Sequence, residues 1–318
     1  MVVPSDDGKT PRDYTGPGAG APPLGGELDK LAANISLGRS ASPTAAPWPE
    51  NRHRQAGLER ARQETGHMME RDYRTALIAG APSQLARELA LWLGGAGMQV
   101  HVAARAPEEL EPYLVRARDS GARLLPVELD TTRVEEARER VLALDEACGG
   151  LDLVVAAGTY EETSARDFPW ERARQLIETN VTGTVGLLSA VLPRMLERGH
   201  GHLVGISSLA AYRGLAGRSA YSGSKAFVSN FMESLRADLR DTGVRVTCIY
   251  PGHLRNHHAV QGRSEPFTLD EKDAAARMGR AILQGKARYA MPWQAATFMR
   301  MLQVLPGSLF DTIARRMH

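Results

Sequence analysis

From residue 75 onwards the chain alternates between short apolar runs and longer segments with helical periodicity. TALIAG (75–80) has the length and composition of a buried strand, QLARELALWL those of a helix, and MQVHVAAR those of a second strand. Further strands are predicted at RLLPVEL, LDLVVAAG, GHLVGIS, VRVTCIY and ARYAM, and further helices near 132–147, 171–197 and 218–240. Because strands that alternate with helices form a parallel sheet covered on both faces, the predicted fold is a doubly wound α/β fold. Such sheets bind ligands at the carboxyl ends of their strands.

Composition changes once, near residue 68. The segment before it holds eight of the 18 prolines, in stretches such as GPGAGAPPLGG and SASPTAAPWPE, and has few apolar residues. Burial in such a segment cannot offset the entropy lost on folding, so residues 1–67 are predicted to be a disordered extension. Residues 68–318 are predicted to form one domain, with substrate-lid and C-terminal helices at about 253–318. Met68 and Met69 offer an alternative translation start.

Charge, cysteine content and hydropathy exclude several classes of protein. The chain has 39 Lys+Arg against 37 Asp+Glu, so its charge gives no reason to expect a nucleic-acid partner. Its two cysteines, Cys148 and Cys248, form no C-x-x-C motif and suit a reducing compartment. No apolar run approaches the ~20 residues of a membrane span, and the N-terminus lacks an apolar signal core. We therefore expect a cytoplasmic protein without an integral membrane segment.

The stretch YSGSK places Tyr221 and Lys225 four residues apart in the last of the predicted helices. Residues i and i+4 are neighbours on any helix, so this spacing is equally typical of a solvated surface. A nearby ammonium favours the phenolate form of a tyrosine, so the pair could instead transfer a proton. Ser222 and Lys225 also form S-x-x-K, a signature of serine acylation. The five residues alone leave all three alternatives open.

The turn after the first strand, AGAPSQLA, could hold a pyrophosphate. Gly80 suits a tight turn, and the backbone around Ser83, Gln84 and Leu85 begins a helix, where amide groups attract anions. Arg105 follows the second strand, at the place where an adenine ribose would lie in a dinucleotide site. An arginine there suits a 2′-phosphate, which predicts NADP(H) rather than NAD(H).

Over residues 72–256 the chain resembles the short-chain dehydrogenase/reductase family. The motifs that carry the resemblance are AGAPSQLA, LD at 129–130, VAAG at 155–158, TNVTGT, ISSLAA at 206–211, YSGSK, and YPG at 250–252. Ser208 stands thirteen residues before Tyr221, which is the family's spacing of its catalytic serine and tyrosine. The chain departs from the family pattern with AGAPSQLA for T-G-x-x-x-G-x-G, VAAG for N-N-A-G, and Asn256 for a threonine. The implied fold is Rossmann-type, a single domain with a C-terminal helical extension.

The resemblance implies a role for each matching residue. Tyr221 would exchange a proton with the substrate oxygen, Lys225 would lower the pKa of Tyr221 and bind the nicotinamide ribose, and Ser208 would hydrogen-bond the substrate oxygen. Asn180 would hold a water that links Lys225 to solvent. The implied cofactor contacts are Gly80, Ser83, Gln84, Leu85, Arg105, Asp130, Ala157, Gly158, Tyr221, Lys225, Pro251, Gly252 and Asn256.

The resemblance implies an NADP(H)-dependent oxidoreductase that interconverts a carbonyl and a secondary alcohol of a small molecule. It also implies a homodimer or homotetramer, formed through the two long helices near 171–197 and 218–240. The alternative is a non-catalytic nucleotide-sensing or interaction protein on the same fold, which would need no proton relay.

Two further stretches carry weaker signals. GHLRNHH could chelate a metal through its histidines, but it lacks a partnered carboxylate or cysteine motif, so a polar loop at the substrate mouth is the preferred interpretation. These histidines are His253, His257 and His258. The stretch WQAATFMRMLQVLPGSLF could lie on a membrane surface, but we favour packing against the substrate pocket or a second subunit.

Overall fold

Seven parallel strands form a single sheet in the computed structural model, which describes residues 73–80, 83–166, 168–255 and 267–314. The strands are β1 (Thr75–Ala79), β2 (Gln99–Ala104), β3 (Arg123–Glu128), β4 (Leu153–Ala156), β5 (Gly201–Ile206), β6 (Val244–Pro251) and β7 (Arg288–Met291). Their order across the sheet is β3-β2-β1-β4-β5-β6-β7, and every neighbouring pair is parallel. The predicted α/β, Rossmann-type doubly wound fold is confirmed.

Helices follow the strands as the alternation predicts. They are α1 (Gln84–Gly95), α2 (Glu111–Ser120), α3 (Val134–Ala147), α4 (Trp170–Ile177), α5 (Thr184–Arg198), α6 (Ser219–Asp238), α7 (Glu271–Leu283), α8 (Trp293–Val304) and α9 (Gly307–Ala314). Short 3₁₀ turns lie at Pro107–Leu110 and Leu209–Ala211. The sequence pattern missed α2, because only one of its residues is buried and its apolar periodicity is correspondingly weak.

Successive residues of β5 show how the two faces of the sheet are covered. Val204 points into the apolar core that α1 and α7 build on one face. Gly205 points the other way, where an added Cβ would lie 2.7 Å from Met232 of α6. Gly201 likewise faces Met195 of α5. Because side chains alternate along a strand, glycine on one side lets α5 and α6 approach closely while branched residues fill the other side.

Helices α4 and α5 form one continuous helix, Trp170–Arg198, interrupted by a π-helical turn at Glu178–Gly183. Among the described residues it is also the one helix long and apolar enough to cross a membrane, by length and composition alone. Half of its apolar stretch is buried inside the fold. A core helix packed on a sheet can have the same length and composition, so these two properties do not distinguish it from a membrane-spanning helix.

The strand order reverses between β1 and β4, and the crevice at this reversal is where parallel sheets bind ligands. Gly80 directly follows β1 with φ of 104°, a left-handed conformation that favours glycine. An added Cβ at Gly80 would overlap the carbonyl of Ala157, which follows β4. Glycine at this position therefore lets the two strand ends lie against each other at the edge that carries the site.

The contact between α1 and α7 depends on another glycine. An alanine Cβ at Gly279 of α7 would overlap the indole ring of Trp92 on α1. We expect Gly279→Ala to lower the free energy of unfolding by roughly 1–3 kcal/mol, because the two helices would have to separate. Denaturant unfolding followed by tryptophan fluorescence measures this change.

Gly95→Ala is the matched control, because nothing lies within 4 Å of a Cβ added to that residue of α1. It should be neutral or stabilising, by up to about 1 kcal/mol from helix propensity. Equal effects of the two substitutions would contradict the close approach of α1 and α7.

Candidate active site

Ser208 and Tyr221 meet at the carboxyl end of the sheet. Ser208 lies two residues beyond β5, where its extended backbone and its Oγ cap the short turn Leu209–Ala211 by accepting a hydrogen bond from the amide of Ala210 (3.1 Å). The same hydroxyl donates to the carbonyl of Pro251 (3.4 Å). Tyr221 lies in the first turn of α6, close enough to Ser208 for hydrogen bonding to influence its ionisation.

Three environments act on the ionisation of Tyr221. Burial raises its pKa, while hydrogen bonding from Ser208 and the positive charge of Arg218 oppose that rise. The ammonium of Lys225 lies 5.8 Å from the centre of the Tyr221 ring, and its expected effect on this pKa stays a prediction. Arg218 is a second cation whose charge favours the phenolate.

Lys225 is buried to 3% exposure between α6 and β5. Its Nζ donates a hydrogen bond to the carbonyl of Ile206, the last residue of β5, over 2.8 Å. The backbone carbonyl of Lys225 accepts a hydrogen bond from the Ser207 hydroxyl (2.8 Å), so the residue is fixed at both ends. Burial lowers the pKa of Lys225 to about 8. The amine can therefore exchange a proton near neutral pH, which an exposed lysine could not.

Asn180 lies in the π-helical turn at Glu178–Gly183. Its side chain is fully buried, and it accepts a hydrogen bond from the amide of Thr159 (2.7 Å) while donating to the carbonyl of the same residue (3.0 Å). Its Nδ2 also donates to Ser224 Oγ (3.0 Å), which in turn donates to the carbonyl of Tyr221 (2.8 Å). Asn180 thus joins the loop after β4 to the helix that carries Tyr221.

Gly158 lies between these polar groups. A Cβ at this position would overlap Oδ1 of Asn180 and would lie 2.7 Å from Nζ of Lys225. The loop after β4 therefore presents only backbone to Asn180 and Lys225, and any larger residue would separate them. The structure brings all four predicted catalytic residues, with Gly158, to one place.

The residues predicted to contact a dinucleotide lie at the same edge. The amide of Ser83 donates to the carbonyl of Gly80 (3.0 Å), which closes the turn, and Gln84 and Leu85 begin α1. Within the described residues no side chain caps this helix, and its first turn contains no acidic residue. Arg105 is exposed, directly after β2. Free amide groups can bind a pyrophosphate, and an exposed guanidinium can bind a 2′-phosphate. These residues therefore fit a dinucleotide that carries a 2′-phosphate.

Asp130 has a structural partner of its own. It follows β3, and its carboxylate accepts hydrogen bonds from the amide (3.0 Å) and the hydroxyl (2.7 Å) of Thr132. This arrangement fixes the turn that leads into α3. A contact of Asp130 with a cofactor stays a prediction.

The other predicted contacts border the crevice on its β6 side. Ala157 follows β4, Pro251 ends β6, and the amide of Gly252 donates to the carbonyl of Met291 at the end of β7 (2.7 Å). Asn256 lies outside the described residues, as do His257 and His258. No group of three or more metal-ligating side chains occurs in the part of the chain that the structure describes.

Sequence analysis did not identify Tyr160 and Arg218 as site residues. The ring of Tyr160 meets the ring of Tyr221 edge-on, with centres 4.9 Å apart and planes at 84°. The guanidinium carbon of Arg218 lies 5.4 Å from the centre of the Tyr160 ring. The available signals were their positions: Tyr160 lies two residues after Gly158, and Arg218 lies one helical turn before Tyr221.

Ser222 has an environment that disfavours the serine acylation alternative. Its side chain is buried, and its hydroxyl accepts a hydrogen bond from the amide of Leu215 (3.4 Å). The amine of Lys225 is bonded to the carbonyl of Ile206 instead. An acyl donor could not reach a hydroxyl in this position without opening the start of α6.

The buried amine predicts a pH-dependent stability. The pKa of Lys225 is about 8 in the folded protein against 10.5 for a free side chain, so below pH 8 the folded protein bears the full cost of burying the charge. Between pH 8 and 10.5 the folded state loses this proton before the unfolded state does, so stability rises. Across this window the free energy of unfolding of wild type should rise by roughly 1–3 kcal/mol more than that of Lys225→Met, because methionine carries no charge to lose.

Denaturant unfolding of both proteins at several pH values measures this difference. The contributions of the other titrating groups are the same in both proteins and cancel. Lys272→Met, the same substitution at an exposed lysine of α7, is the control and should give no such change. A difference between Lys225→Met and wild type that stays constant from pH 7 to 10.5 would contradict the lowered pKa.

Residues 74–265 match the family model described as short chain dehydrogenase. An uncharacterized oxidoreductase of Myxococcus xanthus is 53% identical over 252 residues, which are 79% of this chain and 100% of that protein. An uncharacterized oxidoreductase of Staphylococcus aureus is 31% identical over 215 residues, 67% of this chain and 92% of that protein.

Solved structures agree with these matches. A short-chain dehydrogenase from Streptomyces avermitilis is 25% identical, with a TM-score of 0.63 over 77% of this chain and 95% of that one. A variant of actinorhodin polyketide ketoreductase, solved with NADPH, is 26% identical, with a TM-score of 0.63 over 71% of this chain and 98% of that one. With the family model matched over most of the folded region, this chain belongs to the short-chain dehydrogenase family of nicotinamide-dependent oxidoreductases.

Proposed function

We propose that the protein is an NADP(H)-dependent oxidoreductase that interconverts a carbonyl and a secondary alcohol through Ser208, Tyr221, Lys225 and Asn180. The observation that carries this proposal is the meeting of the Ser208 and Tyr221 hydroxyls at the crevice, with the buried amine of Lys225 behind them. A nucleotide sensor would need neither a buried amine nor paired hydroxyls. Maintaining a buried ammonium costs stability, which favours a chemical role over a structural one.

The side chains can move a proton in either direction. In the reducing direction Tyr221 Oη donates its proton to the carbonyl oxygen, while Ser208 Oγ donates a hydrogen bond to the same oxygen as negative charge develops there. A bound nicotinamide supplies the hydride when the carbonyl is reduced and accepts it when the alcohol is oxidised. The phenolate that remains is favoured by the positive charge of Arg218, which lowers the pKa of Tyr221.

Lys225 and Asn180 support this proton transfer. With a pKa of about 8, the amine of Lys225 can hold or release a proton at neutral pH, and it would bind the nicotinamide ribose. Asn180 fixes the loop after β4 through Thr159 and the helix of Tyr221 through Ser224. We assign Asn180 to positioning these elements and the water that would connect Lys225 to solvent.

The preference for NADP(H) rests on Arg105. This guanidinium is exposed directly after β2, where a phosphate on the adenine ribose would be recognised. The uncapped start of α1 would hold the pyrophosphate, with Gly80 making the turn. The related ketoreductase that was solved with NADPH supports the same assignment.

Self-association through α6 is part of the proposal. Phe227 is 42% exposed on this helix, and its ring stacks with that of Phe231 at a centre distance of 5.9 Å. Ile177 at the end of α4 is 45% exposed. Exposed apolar side chains on the two long helices suit a homodimer or homotetramer.

A cytoplasmic location is also proposed, on the state of the thiols. Cys148 and Cys248 are both free, and burial raises the pKa of each thiol to about 11. Such thiols stay protonated and unreactive, which suits a reducing compartment.

The central prediction concerns Tyr221→Phe. The phenyl ring fills the same space, so the variant should lose turnover by ~100-fold or more while its affinity for NADPH stays nearly unchanged. Steady-state rates on a panel of ketones and secondary alcohols, with NADPH titrated separately, test both halves.

Tyr113→Phe, on the remote helix α2, is the matched control and should keep wild-type rates. Wild-type turnover by Tyr221→Phe would make the assignment of the proton donor wrong. A wild-type protein that binds NADPH tightly yet turns over nothing in the panel would favour the sensor alternative.

Cofactor choice is tested at Arg105. Charge-assisted hydrogen bonds contribute roughly 1.5–3 kcal/mol each, so we expect the wild type to bind NADPH about tenfold or more tightly than NADH. Arg105→Ala should remove most of that preference by weakening NADPH alone, because only NADPH carries the phosphate.

Titration of both nucleotides into wild type, Arg105→Ala and Arg240→Ala measures the preference. Arg240 is an exposed arginine between α6 and β6, at the opposite edge of the sheet, and its removal should change neither affinity. An unchanged ratio in Arg105→Ala would refute the role of Arg105.

A further inference from the structure

Arg218 lies where three loops of the crevice meet. Its backbone pairs with Thr163 in the loop after β4, whose amide donates to the carbonyl of Gly217 (2.8 Å). Its guanidinium carbon lies 5.4 Å from the centre of the Tyr160 ring, in the same loop. Its Nη1 lies 3.3 Å from Nε2 of His253, in the loop after β6. The loops after β4, before α6 and after β6 thus hold one cation among them.

No carboxylate pairs with Arg218 among the residues that the structure describes. Other arginines are neutralised, in the pairs Arg116–Glu88, Arg198–Asp145 and Arg288–Glu233. Because arginine only donates, the His253 nitrogen facing Arg218 must act as the acceptor, and a neutral imidazole leaves the positive charge uncompensated. The side chain is half-buried, so the charge is neither fully hydrated nor paired. Such a guanidinium has N–H groups left for an anionic ligand.

This cation lies close to the reacting groups. The Tyr160 ring beneath it touches the Tyr221 ring edge-on, with centres 4.9 Å apart. Arg218 also begins the helical turn that carries Tyr221, and its charge acts on the Tyr221 hydroxyl. One small molecule could therefore place an oxygen at Tyr221 and a negative charge at Arg218.

We propose that Arg218 is a specificity-determining residue that binds a carboxylate of the substrate, so that the enzyme acts on oxo acids and the corresponding hydroxy acids. This inference rests on the proposed function and names its substrate class. A planar carboxylate matches the fork of a guanidinium. Tyr160, which is 44% exposed, would pack against the carbons between carboxylate and carbonyl. Glu162, which accepts the Tyr160 hydroxyl at 3.2 Å, would repel a doubly charged phosphate more than a carboxylate.

The experiment compares ketone-bearing carboxylic acids with their methyl esters, which differ only in charge. With NADPH and wild-type protein, kcat/KM should be about tenfold or more higher for the acid than for the ester. Arg218→Gln should remove this preference by raising KM for the acid. Because the substitution also removes a charge that favours the Tyr221 phenolate, kcat should fall by a similar factor for acid and ester, so the acid-to-ester ratio of kcat/KM is the readout. Arg218→Lys should restore part of the preference. Arg236→Gln, an exposed arginine on the same helix, is the control and should behave as wild type.

Binding without turnover separates this inference from the proposed reaction. Calorimetric titration of the same acids and esters into the protein with NADP bound measures affinity whether or not a reaction follows. Preferential binding of acids that Arg218→Gln abolishes would support the carboxylate site even if no compound were reduced. Equal affinity of wild type for acid and ester, or equal losses for both in Arg218→Gln, would overturn it. Equal losses would show that Arg218 acts on Tyr221 and not on the substrate.

Discussion

Seven parallel strands can be joined only by crossovers, and this constraint determines where every functional side chain of the protein can lie. Each crossover returns the chain through a helix, so all carboxyl strand ends reach the same edge. The loops after β1, β4, β5 and β6 therefore converge there, although more than a hundred residues separate Gly80 from Tyr221. The strand reversal between β1 and β4 opens the crevice at that edge.

Within the crevice, backbone groups and buried side chains hold each other in place. Lys225 reaches the last carbonyl of β5, and Asn180 bonds both backbone groups of Thr159. Gly158 leaves room for both side chains, because any Cβ would overlap Asn180. Each of these contacts joins a helix to the end of a strand, so the polar groups are oriented by the same elements that bury the core. This sharing explains how a buried amine is retained in spite of its desolvation cost.

Sequence reasoning predicted the parts of this structure that leave a local pattern. The inner strands β1, β2, β4, β5 and β6 were recognisable because both of their faces are buried and apolar. Ser208, Tyr221 and Lys225 were recognisable because their spacing is fixed by one strand end and one helix. Helix α2 left little pattern, since Ala117 is its only buried residue. The grouping of Tyr160 with Arg218 left none, because it exists only where loops distant in sequence meet. The catalytic roles themselves stay predictions that the kinetic experiments address.

The π-helical turn at Glu178–Gly183 gives one helix two orientations. A wide turn adds a residue without adding a full turn, so the surface of α5 is rotated by about 100° from the surface that α4 would otherwise continue. Helix α4 packs against α6, whereas α5 packs against α3 and the strands β4 and β5. One continuous helix thus packs against neighbours that lie on different sides of it. Removing one residue from this turn would restore a regular helix and rotate every side chain beyond it away from its neighbours in the fold.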